Sequence, residues 1–324
     1  MMKAHLLEKI ARPFIGLLGF NRRLKAYDKG RKIMHEELAT LDCAAYEPPK
    51  ELGRKLWNIT FRSPMMTAAG LDKHCEFYHT MAKLGAGSHI VGTTTRTSRE
   101  GFLYEGVRAP WLPLRASGAA LNKMGLPNIN HDGIAGRLKD LPRVGSMPVW
   151  TSLAADPEAS PDDKPRGVLH GIRMYVRSGV DVMEINESCP NTGEAAVTLG
   201  GLEDRLRDYS TLHYVAPLII KLSNDTAPEH VPRIVELLVK YRMGGVNFGN
   251  TSTSYATMRE HIAPADRKMY DAFTGNPKIG GGLSGRPLND ASLRLCTIAR
   301  ETLDTLNPAK EFHIVRTGGI ETGA

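Results

Sequence analysis

RGVLHGIRMYVRSGVDVMEINESCPNTGEA, Arg166 to Ala195, decides how this chain is read. RGVLHGIRMYVRSG (166–179) carries a helical pattern, and VDVMEIN (180–186) is a short apolar strand. The strand is left through Glu, Ser, Cys, Pro, Asn and Thr. A solvent loop tolerates those residues, and so does an active site. Only the surrounding pattern chooses between the two.

That pattern is a repeat of the same unit. Short apolar strands are read at MMTAAG (65–70), SHIVGTT (88–94), PVWTSLA (148–154), VDVMEIN (180–186), PLIIKLS (217–223), GGVNFGN (244–250) and FHIVRTGG (312–319). Helical stretches lie between them, among them EFYHTMAKLG (76–85), HVPRIVELLVKYRM (230–243) and ASLRLCTIARETL (291–303). Strand–helix alternation over this length implies a parallel sheet. Polar or glycine residues stand at nearly every strand's C-terminal end, which favours a TIM-type (β/α)8 barrel over an open sheet. In that fold the loops at those ends carry the chemistry. An eighth strand is expected after GGIETGA, where the sequence ends at Ala324. Seven strands leave two unpaired edges. The expectation is therefore an α/β barrel over residues 51–324 that lacks about one helix–strand–helix unit.

Residues 1–50 differ. HLLEKIARPFIGLLGFNRRLK places Leu6, Leu7, Ile10, Phe14, Leu17 and Leu18 at helical spacing, with Lys9, Arg12, Arg22, Arg23 and Lys25 supplying charge. Pro13 is expected to kink or divide this helix. An apolar stripe with basic flanks fits a helix lying on a membrane surface. It equally fits a helix packed on its own domain. EPPK (47–50) reads as a linker.

The bulk numbers set limits. The chain has 324 residues, 41% hydrophobic and 24% charged, which is ordinary globular composition. The net charge of +7 suits an anionic ligand, a phosphate cofactor, an acidic membrane or nucleic acid, and does not choose among them. Aromatic residues are 6%, with no basic stripe, which argues against nucleic acid. Cys43, Cys75, Cys189 and Cys296 form no C-x-x-C pair, so neither a disulfide framework nor a metal site is expected, and a reducing compartment is. No apolar run approaches the roughly 18–20 residues of a membrane span, and no cleavable signal is read.

The strand ends present Lys73, Thr93, Ser152, Asn186, Lys221, Asn250 and Thr251, with Asn122 in a further loop and glycines in GGGLSGRP and GGI. This rim is rich in amides, lysines and glycine backbone. Amides offer paired donors and acceptors to a planar heterocycle. Lysines hold anions or an electron-rich ring, and glycine loops let backbone N–H groups approach phosphate. Together they point to a flavin nucleotide with a small cyclic amide or acid.

AAGLDK (68–73), NKMGLPN (122–128), NESCPNT (186–192), IIKLS (219–223), GNTST (249–253), GGLSGRPL (281–288) and VRTGGI (315–320) occur in one order. In that order they resemble the dihydroorotate dehydrogenases, from about residue 57 onward. AAGLDK, the NKMG loop and GGLSGRPL look most like the quinone-linked, membrane-associated branch, which also carries an N-terminal helical extension.

The resemblance implies FMN as cofactor, dihydroorotate and orotate as ligands, and a step in pyrimidine (UMP) biosynthesis. It implies that Cys189 is the catalytic base, a position where the quinone-linked branch usually has serine and the soluble branches cysteine. It assigns substrate contacts to Lys73, Asn122, Met124, Gly125, Leu126, Asn186, Asn191, Asn250 and Thr251. Flavin contacts fall on Ala69, Gly70, Thr93, Ser152, Asn186, Lys221, Gly249, Gly285, Gly318 and Gly319. Ser152 stands where the quinone-linked branch usually has asparagine. Lys221, in an apolar run, needs a partner when buried, and a reduced flavin supplies one. Quinone is the expected acceptor, with residues 1–50 at a membrane surface and a location in the cytoplasm or on the cytoplasmic face of a membrane. Three other readings stay open: a soluble fumarate- or NAD-linked enzyme, a dihydropyrimidine dehydrogenase-like barrel, which normally has His-Gly where Asn191-Thr192 stands, and a non-catalytic remnant with half its phosphate cup.

Overall fold

The computed structural model describes residues 3–145, 147–187, 199–212 and 216–321. Helices α1 (Lys3–Leu17) and α2 (Phe20–Ala39) lead the chain. Pro13 lies inside α1 and does not divide it. The break comes instead at Leu18–Gly19, where Gly19 adopts an extended backbone and its carbonyl receives the first bond of α2 from the Arg23 N–H. One missing N–H costs a helix a single hydrogen bond, whereas an extended residue ends it. The two helices also differ in burial. Leu6, Leu7, Ile10, Phe14 and Leu17 of α1 are exposed, while Leu24 and Leu38 of α2 are buried.

A hairpin of β1 (Arg54–Leu56) and β2 (Ile59–Phe61) precedes α3 (Tyr78–Lys83) and β3 (His89–Thr94). The chain then leaves the parallel pattern. A small hairpin, β4 (Leu103–Tyr104) and β5 (Val107–Arg108), is followed by antiparallel β6 (Trp111–Leu114) and β7 (Ala119–Asn122). After α4 (Asn130–Lys139) the strand–helix repeat returns. It runs through β8 (Val149–Leu153), α5 (Asp163–Arg177), β9 (Val182–Asn186), α6 (Leu199–Ser210), β10 (Leu218–Ser223), α7 (Val231–Lys240) and β11 (Gly245–Asn250). Short helices α8 (Tyr255–Arg259) and α9 (Pro264–Thr274) lead to β12 (Gly282–Gly285), which pairs with β7. Helix α10 (Asn289–Leu306) and β13 (His313–Arg316) follow.

Helix α5 shows why such stretches become helices. Gly167, Val168, Gly171, Ile172 and Tyr175 are buried at helical spacing on one face. A side chain at Gly171 would meet the His131 ring of α4 at 2.9 Å, so this glycine serves close packing of the two helices.

Six parallel strands form the main sheet, in the order β13-β11-β10-β9-β8-β3. The segment 65–70 does not form the strand expected from its composition. It meets β3 only through isolated parallel bridges, Met66 to Ser88 and Asp72 to Val91. Residues of one parity, Ile90, Trp150, Val182 and Ile219, form a single cluster with Val315 of β13 and Phe61 of the β1–β2 hairpin. Opposite edges of the sheet thus meet on one face, so the sheet curls around a filled interior. The other parity, including Val91, Val149, Met183, Ile185, Ile220 and Val246, packs outward under the helices. The antiparallel sheet β12-β7-β6 has its own core with α2 and α9, built on Leu24, Leu112, Leu121, Phe273 and Leu283.

Candidate active site

Two residues further along the inward faces, the interior turns polar. Glu184 of β9 is 1% exposed and Lys221 of β10 is 4% exposed. They form an ion pair with Nζ 3.6 Å from Oε1. The Ser152 hydroxyl donates to Glu184 Oε1 at 3.0 Å, and Asn247 Nδ2 donates to Oε2 at 2.7 Å. Thr317 Oγ1 in turn donates to Asn247 Oδ1 at 3.0 Å. The register explains the meeting: Ser152 pairs with Glu184 across β8–β9, and Lys221 with Asn247 across β10–β11.

Above this layer lies the C-terminal rim of the strands. Thr93 Oγ1 is 2.9 Å from Ser152 Oγ, and Asn186 Nδ2 donates to Thr93 Oγ1 at 3.3 Å. Asn250 Nδ2 donates to Asn186 Oδ1 at 2.8 Å, and the Thr251 N–H donates to Asn250 Oδ1 at 3.1 Å. Thr251 Oγ1 and Asn224 Oδ1 are buried there with no hydrogen-bond partner among the described residues. The structure therefore brings Thr93, Ser152, Asn186, Lys221, Asn250 and Thr251 together.

Lys73 lies on the loop after the 65–70 segment. Its ammonium donates to the Gly70 carbonyl at 2.8 Å, and the Gly70 N–H donates to Gly92 O of β3. Burial, and then the nearby Arg31 guanidinium, pull the Lys73 ammonium down to about 8. The loop is anchored by its neighbour. Asp72 is fully buried and accepts from the His74, Glu76 and Phe77 N–H groups, with His89 Nε2 at 2.8 Å from its other face. Burial alone would raise this carboxyl, but His89 and the backbone N–H groups outweigh it and hold it below the usual range. Ala69 packs against the apolar floor of the interior.

Asn122 ends β7, and its Nδ2 reaches the Gly282 carbonyl of β12 at 3.5 Å. Gly282 has no room for a side chain, because Thr251 Oγ1 would lie 1.8 Å from its Cβ. The small antiparallel sheet thus leans on the rim through Thr251. In the loop that follows, the Met124 carbonyl accepts from the Phe102 N–H, and the Gly125 carbonyl accepts from Arg99. Leu126 is nearly buried at positive φ. Arg31 of α2 contacts Met124 Sδ, so the N-terminal helices touch this loop directly.

Gly249 faces Thr317 and Asn247, where a Cβ would overlap both. Gly285 ends β12 at positive φ against Gly118, in the antiparallel sheet and not in a free loop. Gly318 and Gly319, both at positive φ, turn the chain over the first turn of α10, with a Cβ on Gly319 only 2.4 Å from the Asn289 backbone N. Cys189 and Asn191 lie outside the described residues. Glu187, just before them, is tied down: its carboxylate accepts from Arg205 Nε and from the Tyr209 hydroxyl, each at 2.6 Å, and its N–H donates to Lys221 O.

Sequence reading missed Glu184, Asn247, Thr317 and Glu187. A signal existed for the first. Glu184 is a charge inside an apolar strand, at the same parity as Val182 and Asn186. Lys221 was expected to find its partner in a reduced flavin, whereas the chain itself supplies a carboxylate. Among the described residues no cluster of metal-ligating side chains occurs.

Comparison with known proteins adds to this geometry. The profile of the family described as dihydroorotate dehydrogenase matches residues 51–324. A protein named dihydroorotate dehydrogenase (quinone) from Gloeobacter violaceus is 29% identical over 257 residues, 78% of this chain and 66% of that protein. One of the same name from Haloarcula marismortui is 28% identical over 324 residues, covering 97% of this chain and 83% of its own length. Among solved structures, the Eimeria tenella enzyme in complex with ferulenol superposes with a TM-score of 0.74 at 20% identity, over 91% of this chain and 81% of that one. The likeness is one of fold, a TIM-type barrel with helices ahead of it.

Proposed function

The chain belongs to the dihydroorotate dehydrogenase family, and on that premise we propose that it oxidises dihydroorotate to orotate, with FMN as cofactor and a quinone as final acceptor. The observation that carries this reading is the run Thr93–Asn186–Asn250 standing on the rim directly above the Lys221–Glu184 pair. An amide-lined rim suits a cyclic imide, and a buried cation suits an electron-rich ring.

The residues fit FMN. Lys221 offers a buried cation, Thr251 Oγ1 an unpartnered buried hydroxyl, and Gly318–Gly319 a turn over the start of an 18-residue helix, where N–H groups favour phosphate. When bound there, FMN would supply the redox chemistry, as hydride acceptor from the substrate and electron donor to the final acceptor. Asn186 and Asn250, with Asn122 from the small sheet, hold the substrate ring in plane. Lys73 meets its carboxylate. Asn191 and Cys189, which follow Glu187 in the sequence, complete the proposed residue set, with Cys189 removing the ring proton. The product is orotate, the precursor of UMP.

Quinone is an apolar acceptor. The exposed apolar face of α1, with the basic residues of α2 beside it, suits a peripheral seat on a membrane surface. Among the described residues no helix is long and apolar enough to cross one.

The test is the anaerobic absorbance spectrum of the purified chain before and after dihydroorotate. A flavin band that bleaches supports the reading, and re-oxidation by a soluble quinone but not by fumarate or NAD supports the acceptor. A chain that stays colourless with added FMN sinks it.

A further inference from the structure

We infer that Glu184 is a positioning residue of this site, orienting the Asn186 and Asn250 amides through a one-way hydrogen-bond chain and serving as the counter-charge of Lys221. The inference rests on the functional reading above but adds a residue to which no ligand contact is assigned.

The direction of the chain follows from donor arithmetic. A carboxylate only accepts. The Ser152 hydroxyl, which has one proton, spends it on Glu184 Oε1 at 3.0 Å. The 2.9 Å contact between Thr93 and Ser152 must then be a donation from Thr93. With its proton committed, Thr93 Oγ1 accepts from Asn186 Nδ2 at 3.3 Å. That fixes Asn186 Oδ1 as the acceptor for Asn250 Nδ2 at 2.8 Å, and Asn250 Oδ1 as the acceptor for the Thr251 N–H at 3.1 Å. A second arm reaches the other oxygen: Thr317 donates to Asn247, and Asn247 donates to Glu184 Oε2. Every donor on both arms points toward one buried carboxylate. An amide that can flip presents either face to a ligand, and here the acceptor at the chain's end chooses the face.

The same carboxylate stands 3.6 Å from Lys221 Nζ, with both groups at most 4% exposed. A ring lying against Lys221 therefore senses a cation already balanced from below. Removing the carboxylate leaves the cation uncompensated, which favours the electron-rich reduced form of that ring.

Glu184→Gln tests both roles. A glutamine must place an N–H2 where one oxygen was, so one arm faces donor against donor and has to reverse. The bound flavin's midpoint potential is expected to move positive, and orotate to bind roughly 10-fold more weakly, the loss of about one well-aligned hydrogen bond. Glu184→Asp keeps the charge and should leave the potential near that of the parent. An unchanged potential and orotate affinity in Glu184→Gln overturns the inference, and so does an equal shift in the Asp and Gln variants, which would signal packing alone. If Glu184→Gln does not fold, Ser152→Ala decides. It keeps the charge pair and cuts the arm to Asn186, so orotate affinity falls, and unchanged affinity overturns the orientation role. A parent chain that neither binds flavin nor bleaches with dihydroorotate defeats the functional reading itself. Silent variants of a parent that does bleach defeat only this inference.

Discussion

Two layers of the barrel interior are built by the same strands and behave as different materials. Ile90, Trp150, Val182 and Ile219 make a hydrocarbon floor, closed from below by Phe61 of the β1–β2 hairpin. Two residues on, β8, β9 and β10 present Ser152, Glu184 and Lys221 in place of Trp150, Val182 and Ile219. The strand period is 2, so the pleat that delivers one layer delivers the next. The floor gains stability with every apolar group buried. The polar layer holds charge where desolvation opposes it, and a buried ion pair is at best weakly stabilising. A fold that needed only stability would have continued the floor. The polar layer marks where stability gives way to the proposed ligand site.

The contrast can be broken by substitution. Trp150→Ala in the floor is expected to cost about 3–5 kcal/mol by opening a cavity, read as a shift of the urea midpoint, with little change in orotate affinity for the molecules that remain folded. Lys221→Met in the polar layer should cost a similar amount, because it leaves a buried carboxylate unpaired, about 3–5 kcal/mol. Unlike the floor variant, it should recover stability when Glu184→Gln is added, since an amide has no charge to strand. If the two substitutions simply add, the pair is not coupled and the comparison fails.

Lys73 sharpens the contrast at the rim, where a part-buried cation has no ion pair with a carboxylate among the described residues. Its pKa is lowered from 10.5 to about 8, first by burial. Between those values the unfolded chain binds the extra proton and the folded chain does not, so stability rises with pH from about 8 to 10.5. Below pH 8 the penalty of the buried charged form is fully present. Lys73→Met should remove this slope and raise stability at pH 7 by on the order of 1–3 kcal/mol, checked by urea melts at neutral and alkaline pH. A slope that survives the substitution assigns it to another group. The same titration predicts that orotate binding weakens as pH rises through about 8, when the ammonium proposed to meet the ligand carboxylate is lost.

The smallest effect on stability is expected on the outermost apolar surface. Phe14 of α1 is 70% exposed. Phe14→Glu should change folding stability by no more than about 0.5 kcal/mol and yet abolish co-sedimentation with phosphatidylglycerol vesicles. Unchanged sedimentation removes the membrane role of α1.

The repeating part of the fold was legible in the sequence, because a buried parallel strand is a continuous apolar run between amphipathic helices. Most of the sheet strands end in or lead into polar or glycine residues, and the candidate rim residues Thr93, Asn186, Asn250 and Thr251 were legible for that reason. The antiparallel sheet was not. Its strands are four residues long and lie in Pro- and Gly-rich segments, where local pattern is weak and pairing is decided by contacts across about 160 residues, as between Asn122 and Gly282. Pro13 was expected to kink or divide the helix, and it does not divide it: a helix interior tolerates one lost bond when its neighbours hold. Glu184 was missed because charge in a strand was read one residue at a time. Lys221 and Glu184 are each improbable in an apolar run, and the pair becomes readable only when adjacent strands are set side by side.

The one-way chain from Asn250 to Glu184 has a consequence for how the chain tolerates change. Each hydroxyl and amide in it has its proton already assigned by the neighbour nearer the carboxylate, so no member is substituted in isolation. Changes at Thr93, Ser152, Asn186 and Asn247 should show strong epistasis, with double variants departing from the sum of single ones. The network should then tolerate substitution only as a block, with residues of four strands changing together.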